Sequence, residues 1–337
     1  MATIKDVARL AGVGLGTASR VVSGKGSVSP ATLEKVRQAI EELDFRPSHA
    51  ARSLLSGSSQ MIGVYIPVLK GTFYTPILQL IDTELRAATC TWWSRSGSAW
   101  AIPREQAIEG IEFLMERGCD GLVAMTNHLE DADIAALGPK QSRLVILNHA
   151  HASIPGQCFS ADHTAGGVLA ARAARSGPPQ HRRHRRTAHA ARQRGPDHRF
   201  MAEMARARID TAAMWVAESD FSPEGGWNSA EELVRSGHQF SAVFCANDEM
   251  AVGALSYFHE VGMSVPRDVS VLGYDDTPEH RVFGAAPVVG ARALARRHAG
   301  SSLNALLNRC YGLERAVGAD FPISITERAS LARHPNF

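Results

Sequence analysis

The sequence predicts a small all-α headpiece joined by a short linker to a larger α/β body of two doubly wound, parallel-sheet lobes, and three observations carry that prediction. Residues 4–22 read as two short apolar-striped segments on either side of a glycine. From Met61 onward, short apolar runs alternate with stretches of helical period, the pattern that builds a parallel sheet covered on both faces. The chain has 337 residues, 45% of them hydrophobic, enough for about two domains.

In the headpiece, Ile4, Val7, Ala8 and Ala11 fall at i, i+3, i+4 and i+7, which gives the first helix one apolar stripe. Gly12 supplies the backbone freedom for a sharp turn. The second helix then packs across the first with its outer face free, and Thr17, Ser19 and Arg20 offer that face hydroxyls for phosphates and a guanidinium fork for guanine. This is the layout of a DNA-reading helix-turn-helix. Ser29 and Pro30 supply an N-cap and an N1 proline for a third helix, whose Leu33, Val36, Ala39, Ile40 and Leu43 close a small core before Phe45-Arg46-Pro47 ends it. Residues 1–57 carry eight Lys/Arg against five Asp/Glu, a local basic excess suited to a phosphate backbone.

Residues 4–22 resemble the headpiece of the lactose/galactose repressor (LacI-type) family, and the likeness runs without a gap into residues 48–55, which resemble the family's hinge helix. The resemblance implies a headpiece over 1–46 and a hinge over 47–59. It places Leu15 and Gly16 where the family usually chooses its operator sequence, and Leu54 where a leucine wedges into a minor-groove step and bends the duplex. With Thr17, Ser19, Arg20, His49 and Arg52 these form the expected DNA-binding set. Two departures matter. Gly14 stands where the family has serine or threonine, removing a side-chain N-cap at a cost of a few tenths of a kcal/mol. Leu15 and Gly16 cannot donate a bidentate hydrogen bond, which shifts discrimination toward Arg20, thymine methyls and DNA shape.

Along the body, strands are predicted at 61–67, 121–125, 144–148, 242–245 and 269–273, and helices at about 77–87, 105–117, 131–137 and 248–261. Ligands of open α/β sheets bind beyond the carboxyl ends of the strands, where Asn148, Asn247-Asp248 and Asp275-Asp276 fall. The strings Phe-Cys-Ala-Asn-Asp-Glu-Met-Ala-Val-Gly-Ala and Val-Leu-Gly-Tyr-Asp-Asp-Thr resemble two of the family's most recognisable segments. That likeness implies a body like a periplasmic sugar receptor, with one lobe from 60–161 and 290–318 and the other from 162–289 and 319–332. It also implies that Asn247 and Asp275 hydrogen-bond sugar hydroxyls and that Phe221 stacks on a sugar face, with Phe73 and Asn148 completing the effector set. The competing reading makes Asp275 a turn cap and Phe221 a core residue.

Three windows break the grammar. Residues 175–199 have no apolar period and hold eight arginines where a strand is due. Read one base late, codons for Gly177 to Thr187 can yield Gly-His-Arg-Ser-Ile-Ala-Val-Ile-Ala-Gly-Pro, close to the family's text at this place. Shifted in the opposite sense, residues 89–94 permit Leu-His-Leu-Val-Val-Ala, and residues 287–294 permit Leu-Ser-Ser-Val-Arg-Val-Pro-Leu. The sequence therefore reads as carrying compensated frameshifts at 88–101, 175–199 and, on looser grounds, 287–303. Three interior strands are expected to be replaced by polar text, each lost apolar side chain forfeiting roughly 1.5–3 kcal/mol of burial.

Composition bounds the rest. Net charge is only +2, and the five cysteines show no C-x-x-C pairing, as expected for reduced thiols. With no membrane span and no signal peptide read, the expected place is cytoplasmic, nucleoid-associated. Gly12-Val13-Gly14-Leu15-Gly16 is not G-x-G-x-x-G and follows no strand, His181 and His184 form no metal motif, and no nucleophile triad is legible, so no enzyme, cofactor or metal is expected. The expected partners are double-stranded operator DNA, a small sugar or sugar-phosphate effector, and a second copy of the chain as homodimer, or a tetramer built from it. The alternatives are a sugar-binding receptor-like protein without a DNA role and an inactive frameshifted copy of such a repressor.

Overall fold

The computed structural model describes residues 2–23, 27–45, 53, 57–69, 71–97, 103–126, 128–147, 149, 151–161, 189–192, 215–238, 240–277, 292–321, 326 and 330. The headpiece has three helices: α1 (Ile4–Leu10), α2 (Leu15–Ser23) and α3 (Pro30–Glu42). Thr3 and Asp6 form a reciprocal capping box at the start of α1, with the Asp6 carboxylate accepting from the Thr3 backbone N–H at 3.0 Å. Gly12 takes φ +64° to turn the chain into α2, a conformation an L side chain resists. Ser29 caps α3 with Pro30 at its first turn, as the sequence predicts. Val7, Ala11, Val36, Ala39 and Phe45 form the headpiece core.

The body opens with a five-stranded, all-parallel sheet of β1 (Met61–Ile66), β2 (Thr91–Ser96), β3 (Gly121–Met125), β4 (Leu144–Leu147) and β5 (Cys158–Phe159), in the order β2-β1-β3-β4-β5. Alternation along buried strands sorts two cores. Ile62, Val64 and Ile66 face one side with Ile77, Ile81 and Leu85 of α4 (Tyr74–Ala87). Met61 and Tyr65 face the other with Ile111 and Leu114 of α5 (Pro103–Glu116) and Ile134 of α6 (Asp131–Ala136). Gly63 lies between them because a Cβ there would meet Leu122 Cδ2 at 2.2 Å.

A second set of strands, β6 (His189–Arg192) paired with β7 (Val216–Glu218) and β8 (Ala242–Phe244) paired with β9 (Ser270–Leu272), is also parallel. Helices α7 (Pro223–Arg235) and α8 (Asp248–Glu260) pack on each other beside it. The last helix, α9 (Arg292–Tyr311), lies against α4, β3 and β4. Among the described residues no helix is long and apolar enough to cross a membrane.

Several expectations change. Helix α4 begins at Tyr74, three residues before the predicted start, and β5, β7 and α7 were not foreseen. The first frameshift window does not supply an interior strand: β2 is the sheet edge, and Thr91, Trp93, Ser94, Arg95 and Ser96 are exposed there, so its polar text forfeits little burial. Trp93, 44% exposed, lies under the Arg117 guanidinium at 5.6 Å. In the third window, 287–291 lie outside the described residues and 292–303 are the start of α9, with Ala299, Ser302 and Leu303 buried. Residues 175–188 and 193–199 of the second window lie outside the described residues, while 189–192 form β6.

Candidate functional site

Two surfaces carry chemistry. On the headpiece, burial of Ala18 seats α2 on its neighbours and leaves Leu15, Gly16 and Arg20 exposed, with Thr17 and Ser19 half-buried. Leu15 is 47% exposed, an apolar side chain presented to solvent on the face the sequence assigns to DNA. Without a side-chain cap, α2 starts on the Gly14 carbonyl, which accepts from the N–H groups of Thr17 at 2.9 Å and Ala18 at 3.1 Å. The Arg20 guanidinium forms no ion pair with a described residue, so its fork is available to an outside acceptor. His49, Arg52 and Leu54 lie outside the described residues.

The second surface lies at the carboxyl ends of β1, β8 and β9, where loops from both sets of strands meet. After β1 the chain turns at Gly71, φ +87°, and Thr72 donates through its backbone N–H and its Oγ1 to Glu249 Oε1, at 2.5 and 3.0 Å. A Cβ on Gly71 would stand 2.7 Å from that same oxygen. This contact ties the first sheet to α8 of the second region. Phe73 and Tyr74 follow, their rings 5.2 Å apart and edge-to-face.

Asn247 is the N-cap of α8: its Oδ1 accepts from the Met250 N–H and its Nδ2 donates to the Phe221 carbonyl, both at 2.9 Å. Phe221 stands at φ +63° just before α7, so the amide that caps one helix also holds the turn that begins the other. Asn247 and Phe221 are thus brought together. One amide N–H and one lone pair of Asn247 remain for a ligand. Asp248, buried, accepts from the N–H and Oγ1 of Thr277 at 2.7 and 3.1 Å, fixing the turn after β9. Within that turn Asp275 takes φ +107° and Asp276 φ +51°.

Burial, then the charges of Asp248 and Glu249, push the Asp275 carboxyl well above the usual carboxylate range. Burial, then Asp275, likewise pushes the Tyr74 hydroxyl up. Asp275 and Tyr74 are each half-buried, Phe73 packs edge-to-face on Tyr74, and Asn148 lies outside the described residues. A protonated carboxyl both donates and accepts, which suits hydroxyl and amide groups. Thr72, Tyr74, Asp248 and Glu249 were absent from the effector set read in the sequence. Each adjoins a residue or string that was singled out, and adjacency was the one signal available.

The profile described as "Bacterial regulatory proteins, lacI family" matches residues 3–48, and that of a periplasmic binding protein-like domain matches residues 157–331. The HTH-type transcriptional repressor PurR of Klebsiella pneumoniae is 30% identical over 298 residues, covering 85% of this chain and 84% of its own length. A crystal structure of a LacI-family transcriptional regulator from Burkholderia phymatum superposes with a TM-score of 0.74 at 36% identity, over 81% of this chain and 100% of that one. The lac repressor dimer bound to operator and the anti-inducer ONPF shares the fold, with a TM-score of 0.77 at 24% identity over 98% of each chain.

Proposed function

This chain belongs to the lacI family of bacterial regulatory proteins, and on that premise we propose that it represses transcription from an operator under the control of a small, polyhydroxylated effector held at the carboxyl ends of its sheets. What supports the reading is an exposed helix-turn-helix face in the same chain as a body whose strand-end loops carry two local pairings, Asn247 bonded to the Phe221 carbonyl after β8 and Phe73 edge-to-face with Tyr74 after β1. A neutral sugar fits this chemistry better than a sugar phosphate, because the charges of Asp248 and Glu249 that already disfavour ionisation of Asp275 oppose a further negative charge. Binding at the lobe junction would bias the hinge and so the operator affinity, a coupling typically worth about 1–3 kcal/mol. The protein acts as a homodimer on a roughly palindromic site, with the headpiece at 1–46, the hinge at 47–59 and the two lobes partitioned as read above.

A second reading comes from the relatives named PurR, which point to a purine as effector. The paired aromatic rings of Phe73 and Tyr74 would suit a planar heterocycle as well as a sugar face. A thermal-shift panel of neutral sugars, sugar phosphates and purine bases against the parent and Asp275→Asn decides between them. The sugar reading expects a neutral sugar to raise the melting temperature of the parent and to do so less for the variant. A response confined to purines replaces the sugar, and equal responses in both proteins move the site elsewhere.

A further inference from the structure

At the opposite end of the first sheet from the cleft, the Asp120 carboxylate collects four hydrogen bonds. Ser58 Oγ donates to Oδ2 at 2.6 Å, the Ser59 N–H to Oδ1 at 2.9 Å, the Gln60 N–H to Oδ2 at 2.7 Å and Tyr311 Oη to Oδ2 at 3.0 Å. Three come from consecutive residues of the segment that leads from the headpiece into β1, and the fourth from the last residue of α9. The backbone joins in: the Asp120 N–H donates to the Met61 carbonyl at 2.8 Å, and Cys310 Sγ to the Asp120 carbonyl at 3.3 Å. Gln60, held at φ +50°, is fixed from its other side by the Thr91 N–H at 2.9 Å. Burial works to raise the Asp120 carboxyl, and the bonds from Ser58, Ser59, Tyr311 and Gln60 outweigh it, holding the group ionised and below its ordinary range.

Helix α9 packs along α4, whose first residue is Tyr74 of the cleft. A continuous path of packed elements therefore runs from cleft to linker: α4, α9, Tyr311, Asp120, Ser58 to Gln60. We propose that Asp120 is the positioning residue that sets where the linker leaves the body, so that a shift of α9 reaches the DNA-binding half through its carboxylate. The proposal rests on the repressor reading above.

The test uses the full chain and a duplex that the parent itself selects from a random-sequence pool. In Asp120→Asn, one oxygen becomes a donor facing donors, and the linker loses its common acceptor. The expected result is a drop of about tenfold in the ratio of selected-duplex to random-duplex affinity, with faster amide exchange at Ser59 and Gln60. Tyr311→Phe, which removes the α9 bond alone, should lower the same ratio by a smaller factor. Asn308→Ala is the control for mere structural damage: its side chain holds Arg315 by two bonds of 2.9 Å near the same helix end, and its loss should lower the melting temperature without changing the ratio. An unchanged ratio in Asp120→Asn, or an equal change in Asn308→Ala, overturns the proposal. A parent chain that selects no duplex overturns the repressor reading and this proposal with it.

Discussion

Replacing Gly253 by alanine tests the idea that the contact of α7 with α8 sets the effector site. A Cβ on Gly253 would stand 1.8 Å from the Pro223 carbonyl oxygen and 2.8 Å from the Trp227 nitrogen, and both are backbone atoms that no rotamer change can move aside. Carbon–oxygen contact begins near about 3.3 Å, so the helices must separate by roughly 1.5 Å at this point. That displacement exceeds what the Asn247 to Phe221 bond, now 2.9 Å, tolerates before it is lost. Overpacking costs about 1–3 kcal/mol and the lost bond about 1 kcal/mol, while alanine returns up to about 1 kcal/mol of helix propensity. The net is a destabilisation of about 1–3 kcal/mol, read by urea unfolding with an unchanged m-value. Gly16→Ala is the matched control: nothing lies within 4 Å of its Cβ, so it should gain up to about 1 kcal/mol of helix propensity. Equal stability of Gly253→Ala and the parent would show that the two helices slide apart without cost, and the argument for the site's geometry would fail.

Arg20→Ala should cost about 1–3 kcal/mol of specific affinity and relax discrimination at one base pair; gel shifts showing the parent's discrimination would remove Arg20 as a base reader. The Asp275 carboxyl is raised in the fold, so the folded state holds the extra proton: its contribution to stability is complete below the unfolded value of 3.8 and is lost as pH rises through the folded value. Melting curves should therefore fall less with rising pH in Asp275→Asn than in the parent, and parallel curves would contradict the assignment. Glu249→Ala removes both bonds to Thr72 and should loosen the two strand regions relative to each other, seen as greater expansion in small-angle scattering of the ligand-free chain; an unchanged radius would mean the tie is not what holds them. Nucleotide sequencing through 88–101, 175–199 and 287–303 should show compensating single-base changes, with an uninterrupted frame relative to intact relatives refuting the frameshift reading.

What the sequence determined by itself was local. Capping residues, apolar spacing and a turn glycine act within a few residues of themselves, so the stripe from Ile4 to Ala11, Gly12, Ser29 and Pro30 mark the headpiece helices, and the apolar runs of β1, β3 and β4 mark buried parallel strands. The same locality explains the misses. Strand β7 spans three residues and β5 two, too short for any period, and β2, at the sheet edge, carries no apolar alternation in the text as it stands. The cleft is legible only in part, since Asn247 and Asp275 announce themselves by their strings while their partners come from far along the chain. Thr72 and Glu249 are separated by 177 residues, and Ser58 and Asp120 by 62, and no pattern in either neighbourhood encodes the other. Only the packing of sheets and helices brings such groups within hydrogen-bond reach, which is why tertiary structure decided how Asn247 is spent and where Asp120 acts.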